Sequence, residues 1–321
     1  MVRTAGRRWW MAAALVAATS GAGASAIAAP KVVASIPPVA SLAAGVMRGV
    51  GAPVTIIPPG ASLHSFSMKP SDARALDDAD VVVWIGDGFE AFLEKPIAAL
   101  ADRADVLALI DAPGVTALKG RDGGVWESHS EHDHEHDHDH EHDDHAHDVD
   151  GHIWLDPANA KAITFAIAGT LSARDPANAA AYAANAATMA ERIDALDAEL
   201  AAALAPIKSR PFVVFHDATQ YVEAKYGLNA VGAITVSPDR PPGARRVAEI
   251  KARIGSLQAA CVFAEPQFEP KLVATLIEGT PAKAGILDPE GSRLAAGPEL
   301  YFQLMRGLAT DLLTCLGPEG P

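Results

Sequence analysis

Short apolar runs separated by helix-like stretches dominate the pattern of hydrophobic and polar positions. In the first half, runs at 31–36, 54–57, 81–85 and 106–110 each end in Pro, Gly or Asp. The same rhythm returns at 212–215, 230–236, 261–264 and 284–287. Strands alternating with helices in this way are typical of parallel sheets with crossover helices. We therefore predict an α/β fold of two lobes, each with a mostly parallel four-stranded sheet.

A long helix is predicted between the two halves. After Asp175 and Pro176, which suit a helix start, Met189, Ile193, Leu196, Leu200 and Leu204 form an apolar stripe at helical spacing. With Pro206 beyond its end, the helix would span about 29 residues. Such an alanine-rich helix is a stiff connector between lobes. The alternative is one more packing helix of a single domain.

The N-terminus has the pattern of an export signal. Arg3, Arg7 and Arg8 precede an apolar stretch at 9–18 and small residues through Ala29. We predict a cleaved signal peptide at 1–29 and a periplasmic product, with an uncleaved membrane anchor as the alternative. The remaining predicted boundaries are 30–172 for the N-terminal lobe, 173–206 for the linker helix and 207–321 for the C-terminal lobe.

Most of the negative charge lies in one segment. The net charge is −14, but 127–150 contains eleven acidic residues, no Lys or Arg, and nine of the twelve histidines. Such a run cannot bury apolar surface, so we predict a disordered loop that binds additional zinc weakly. A plain solvated acidic loop is the alternative. The rest of the chain is nearly neutral and has no basic stripe, so nucleic acid is not expected as a partner.

The chain contains two cysteines, Cys261 and Cys315. In an oxidising compartment an even pair favours one disulfide. Two separate buried thiols are the alternative.

Three histidines remain outside the acidic segment: His64, His152 and His216. His64 follows a predicted strand and a Pro-Pro-Gly turn, and His216 ends a strand, where parallel sheets carry ligand groups. Neutral imidazoles suit Zn²⁺, with a carboxylate or water in the fourth position. Asp288, at the end of the last strand, is the predicted carboxylate. Glu265 also ends a strand, and it could act behind a ligand or be structural.

The sequence resembles the periplasmic zinc-binding components of bacterial zinc ABC importers, the ZnuA type of solute-binding protein. The resemblance covers nearly all of the chain after the signal. Its motifs are Pro-Gly-Ala-Ser-Leu-His at 59–64, Lys-Pro-Ser-Asp at 69–72, His-Ile-Trp-Leu-Asp-Pro at 152–157, Val-Phe-His-Asp at 214–217, Cys-Val-Phe-Ala-Glu-Pro-Gln-Phe at 261–268 and Leu-Asp-Pro at 287–289.

This resemblance implies zinc ligands at His64, His152 and His216 in a cleft between two lobes that a rigid helix joins. It implies that Asp288 faces the same cleft and that Cys261 and Cys315 correspond to the family's cysteine pair. One departure is Leu63, because some zinc-binding members have an acidic residue there. The fourth ligand is then Asp288 or water.

The expected function is that of a high-affinity zinc receptor which delivers Zn²⁺, its transported ligand, to an inner-membrane ABC permease. We expect a monomer and no enzyme activity. Three imidazoles favour zinc over manganese, although copper and nickel also suit this donor set. The alternatives are a periplasmic zinc hydrolase, because three histidines and water also describe catalytic zinc, and a passive metal buffer.

Overall fold

A computed structural model describes residues 28–63, 66–121, 149–235, 243–268 and 271–317. The first half contains a parallel sheet in the order β2-β1-β3-β4. Its strands are β1 (Val32–Ala34), β2 (Val54–Thr55), β3 (Val81–Trp84) and β4 (Asp105–Ala108). The helices are α1 (Pro37–Val46), α2 (Pro70–Asp77) and α3 (Ala91–Leu100). β1 and β3 are fully buried, as their apolar runs predict for central strands.

A short antiparallel ladder follows the first sheet. It pairs β5 (Leu118–Lys119) with β6 (Val149–Asp150). The sequence pattern did not predict this ladder. The prediction of a disordered loop at 127–150 was wrong for its last two residues, which form β6. The rest of that loop, 127–148, lies outside the described residues, as does 1–27 of the predicted signal peptide.

The middle of the chain is helical. A 3-10 turn at Ile153–Leu155 leads into α4 (Pro157–Arg174), where the Asp156 carboxylate caps the helix by accepting from Ala158 N at 2.8 Å. α5 (Ala179–Leu204) follows and has 26 residues. It begins slightly later than predicted because Pro176–Asn178 forms a separate 3-10 turn. The predicted apolar stripe of α5 is buried.

The second half contains another parallel sheet, in the order β10-β9-β7-β8. Its strands are β7 (Pro211–His216), β8 (Asn229–Thr235), β9 (Cys261–Ala264) and β10 (Lys283–Ile286). The helices are α6 (Gln220–Tyr226), α7 (Ala244–Ser256), α8 (Lys271–Ile277) and α9 (Leu300–Leu316). All eight predicted strands are therefore present in two four-stranded parallel sheets, although several end one or two residues from the predicted bounds.

α5 contacts both halves of the molecule. It packs against α1 and α4 and also against α9 of the second half. Arg306 of α9 binds the Glu199 carboxylate of α5 through Nε and Nη2 at 2.7–3.0 Å. The helix thus connects the halves along the chain and also packs on each. The predicted lobe boundaries at 172 and 207, and the stiffness of the linker, remain predictions.

A disulfide joins Cys261 of β9 to Cys315 of α9, with the two Cα atoms 6.1 Å apart. This confirms the predicted disulfide and excludes the alternative of two separate buried thiols. The bond fastens the C-terminal helix to the sheet of the second half. Within the described part of the chain, no helix is both long and apolar enough to cross a membrane.

Replacing Cys261 and Cys315 by alanine is expected to lower the free energy of unfolding by about 4 kcal/mol, because the bond closes a loop of 54 residues in the unfolded chain. Urea unfolding followed by circular dichroism would measure the change. Cys261 begins β9 at the end opposite Glu265, so the zinc affinity of the folded variant should match that of the wild type. An unchanged unfolding midpoint would contradict this account of the bond.

Candidate metal centre

His216 is the last residue of β7, and its side chain is buried. Glu265 follows the neighbouring strand β9, so the two carboxyl-end positions meet at one edge of the sheet. The His216 ring binds Glu265 Oε1 through Nδ1, and its backbone N donates to the same oxygen at 3.2 Å. Glu265, which the sequence left open between two roles, thus lies directly behind His216.

His152 has the same arrangement from a different part of the chain. It follows β6 and precedes the 3-10 turn at Ile153–Leu155. Its Nδ1 lies 2.7 Å from Asp150 Oδ1, and its backbone N donates to the same oxygen at 2.9 Å. Asp150 and His152 are both buried. A carboxylate therefore fixes the orientation of each imidazole.

The two rings face each other through their remaining nitrogens. The Nε2 atoms of His152 and His216 are 3.4 Å apart. A neutral histidine whose Nδ1–H donates to a carboxylate carries its lone pair on Nε2. Two nitrogens bound to one tetrahedral zinc at about 2.0–2.1 Å are themselves about 3.3–3.4 Å apart. The pair therefore has the spacing of two ligands on a single zinc ion.

The protonation of His216 reflects two opposing effects. Burial acts to lower the pKa of His216, but the charge of Glu265 and the hydrogen bond to it outweigh burial, so the pKa is raised. A more basic imidazole binds both zinc and protons more tightly. Zinc and a proton compete for the same atom, His216 Nε2, because Nδ1 is held by Glu265.

The other two predicted ligands are placed differently. His64 lies outside the described residues; the chain before it ends at the buried Leu63. The Asp288 carboxylate accepts from Ser292 N at 2.9 Å and from Ser292 Oγ at 3.0 Å. In the described ranges no three His, Cys, Asp or Glu side chains are grouped closely enough to hold a metal ion. Ligation by His64 and Asp288 stays a prediction.

A third buried carboxyl group, that of Glu290, lies near His216. The negative charge of Glu290 contributes to the raised pKa of His216, and burial raises the pKa of Glu290 itself to about 8. The sequence pattern did not indicate Glu290 or Asp150. The signal for Asp150 is its position two residues before a candidate ligand histidine, but Asp150 also belongs to the acidic run that precedes it.

Aromatic side chains enclose His152. Phe89, from the turn after β3, lies edge-on to the His152 ring with centroids 4.9 Å apart, and Trp154 lies at 5.3 Å. Trp154 Nε1 donates to Pro289 O at 3.0 Å, which ties this segment to the loop after β10. Gly151 is required here, because a Cβ atom would come within 2.2 Å of the Phe89 ring. The imidazole therefore faces an apolar wall on one side.

Comparison with known proteins identifies a family. The model of "Zinc-uptake complex component A periplasmic" matches residues 32–315. The high-affinity zinc uptake system protein ZnuA of Brucella abortus is 49% identical over 304 residues, covering 89% of this chain and 91% of that protein.

Solved structures share the fold. A crystal structure of ZnuA has a TM-score of 0.71 at 24% identity, covering 88% of this chain and 99% of its own. The laminin-binding adhesin Lmb of Streptococcus agalactiae has a TM-score of 0.73 at 23% identity, covering 89% of this chain and 99% of its own.

Replacing Glu265 by glutamine is expected to weaken zinc binding by about tenfold near neutral pH, because the neutral amide lowers the basicity of His216. The same change lowers the pKa of His216, so proton competition begins at a lower pH than in the wild type. The difference in zinc affinity between the wild type and Glu265→Gln should therefore become smaller as the pH falls from about 8 to about 5.5. Competition titration with a chromophoric chelator across this range would measure both effects.

The matched control is Glu278→Gln, the same change at an exposed position. It should leave the zinc affinity unchanged at every pH. Equal zinc affinities for Glu265→Gln and the wild type would show that Glu265 does not act on the metal through His216.

Proposed function

This chain belongs to the ZnuA family of periplasmic zinc-uptake components, and we propose that His152 and His216, together with His64, hold the zinc ion it captures. It is a zinc-binding receptor of an ABC-type zinc uptake system. Zinc is its transported ligand, and an inner-membrane ABC permease is its partner. We propose Asp288 or water as the fourth ligand.

The approach of the two Nε2 atoms to 3.4 Å is the observation that carries the ligand assignment. Both lone pairs point at one small volume, and both rings have their other nitrogen on a carboxylate. A cation in that volume relieves the repulsion between the lone pairs and satisfies both nitrogens. Imidazole nitrogens at this spacing suit zinc, and they also admit copper and nickel.

His64 is proposed as the third ligand because of where its neighbours lie. The preceding residue, Leu63, is buried in the main hydrophobic core, and Phe66 packs on Phe92 with ring centroids 5.6 Å apart. Both sides of the two-residue gap are thus anchored by packing, and Phe92 lies near in sequence to Phe89 of the wall around His152.

The acidic histidine-rich segment is proposed to bind additional zinc weakly and to supply it to the tight site. Its imidazoles and carboxylates are the donors that divalent metals use, and in the sequence it leads directly into β6 and His152. We further propose that the export signal is cleaved, that the mature chain acts as a monomer without enzyme activity, and that nucleic acid is not a partner.

Alanine substitution tests the ligand set in a variant that lacks 129–147 and therefore has no other histidines. Single changes at His64, His152 or His216 are expected to weaken zinc binding at least a hundredfold, since each removes one of three protein ligands. Isothermal titration against a competing chelator would measure the affinities. Tight zinc binding by the triple variant would refute the assignment.

Deleting 129–147 is expected to reduce the number of zinc ions bound and to slow zinc capture, while the tight site keeps its affinity. Equilibrium dialysis gives the stoichiometry, and stopped-flow Trp fluorescence gives the capture rate, because Trp154 lies beside His152. The matched control replaces the nine histidines of the segment by serine and so keeps its length. Loss of tight zinc binding in both variants would mean that the principal ligands lie in the histidine-rich segment.

Growth on a zinc chelator separates a receptor from a passive buffer. Cells that lack their own receptor should recover with this chain only when the permease is present. Recovery without the permease would contradict delivery as the function.

A further inference from the structure

Arg121 joins the strand pair at the base of the histidine-rich segment to the second half of the molecule. Its Nε donates to Asp217 Oδ2 at 2.9 Å, and its Nη2 donates to Asp217 Oδ1. Its Nη1 donates to Glu223 Oε2 at 2.5 Å. The guanidinium thus forms a two-pronged pair with Asp217 and a third bond with Glu223. Asp217 directly follows His216, and Glu223 is a buried residue of α6.

The rest of the strand pair is fastened to the same segment. The Tyr221 hydroxyl accepts from Leu118 N at 2.9 Å and donates to Asp150 O at 2.7 Å. Gln220 Nε2 donates to Lys119 O at 3.1 Å. Both β5 and β6 therefore attach to residues 217–223. We call this set of contacts the Arg121 junction.

The Arg121 junction links the two histidines through short stretches of chain. On one side, Asp217 is covalently next to His216. On the other side, Asp150 holds the His152 ring and forms part of β6. We therefore expect a change in how the strand pair sits on residues 217–223 to alter the separation of the two Nε2 atoms.

We propose that Arg121 is a positioning residue for the metal site, which sets the distance between His152 and His216 without touching the metal. This inference rests on the proposed function, since it assumes that these histidines are zinc ligands. The planar guanidinium suits the role because it reaches two carboxylates at fixed angles, whereas a lysine ammonium does not have this geometry.

Charge and geometry predict opposite effects when Arg121 is lost. Removing a cation near a zinc site leaves more uncompensated negative charge, which by itself strengthens the binding of Zn²⁺. Loss of positioning weakens it. A fall in zinc affinity on removal of Arg121 would therefore show that the positions of the histidines, rather than the lost charge, determine the effect.

The experiment compares Arg121→Met with the wild type in the mature chain. Zinc affinity should fall by about tenfold or more, as for other residues that orient metal ligands. Arg121→Lys, which restores the charge but not the fork, should recover only part of the loss. The control is Arg306→Met, which breaks the two-pronged pair with Glu199 between α9 and α5 and should leave the affinity unchanged.

Two further measurements separate positioning from general destabilisation. The visible spectrum of the Co²⁺-loaded protein should change in Arg121→Met and stay unchanged in Arg306→Met, because band positions and intensities follow ligand geometry. Asp217→Asn should weaken zinc binding, and adding Arg121→Met to it should cost little more, because both act through one contact. If Arg121→Met does not fold, Arg121→Lys alone must show the affinity and spectral changes.

Three results would overturn the inference: an unchanged affinity and Co²⁺ spectrum, an increased zinc affinity, or an equal loss in Arg306→Met. His216→Ala, measured in parallel, separates this inference from the proposed function. If His216→Ala keeps tight zinc binding, the ligand assignment fails. If His216→Ala loses zinc and Arg121→Met does not, only the positioning role fails.

Discussion

The close approach of two imidazole lone pairs is the constraint on which the described site depends. When both imidazoles are neutral and each Nδ1–H donates to a carboxylate, neither ring can donate to the other through Nε2, so at 3.4 Å the two lone pairs repel each other. The fold must hold both rings in place against this repulsion. A sheet edge fixes His216, and a short strand with an aromatic wall fixes His152. The arrangement becomes favourable once a cation binds between the rings.

The buried and half-buried carboxylates have different partners. Glu265 and Asp150 each bind an imidazole that is proposed as a zinc ligand, and they fix its orientation. Asp217 and Glu223 bind Arg121 instead, and its single positive charge offsets part of theirs. Burial raises the pKa of Glu223, and Arg121 acts in the opposite direction. The formal charge of −14 says little about this division, because most of that charge lies in the histidine-rich segment.

Elements with a strong local signal were predictable from the sequence. Short apolar runs predicted all eight strands of the two sheets, and the apolar stripe predicted α5. The strand-end position of His216 identified it as a ligand candidate. The β5–β6 ladder was not predictable, because two-residue strands have no periodicity to detect. The partners of Arg121 were also not predictable. Asp217 lies 96 positions away along the chain, and no sequence motif marks a contact at that separation.

The two described histidines that are proposed as ligands differ in how firmly the fold holds them, and this difference bears on the proposed release of zinc. His216 ends a strand with neighbours on both sides, so moving it requires distortion of a four-stranded sheet. His152 depends on fewer contacts: a two-residue ladder, the Tyr221 hydroxyl and the bond from Trp154 to Pro289 O. A conformational change that separates the ligands therefore costs least when His152 moves.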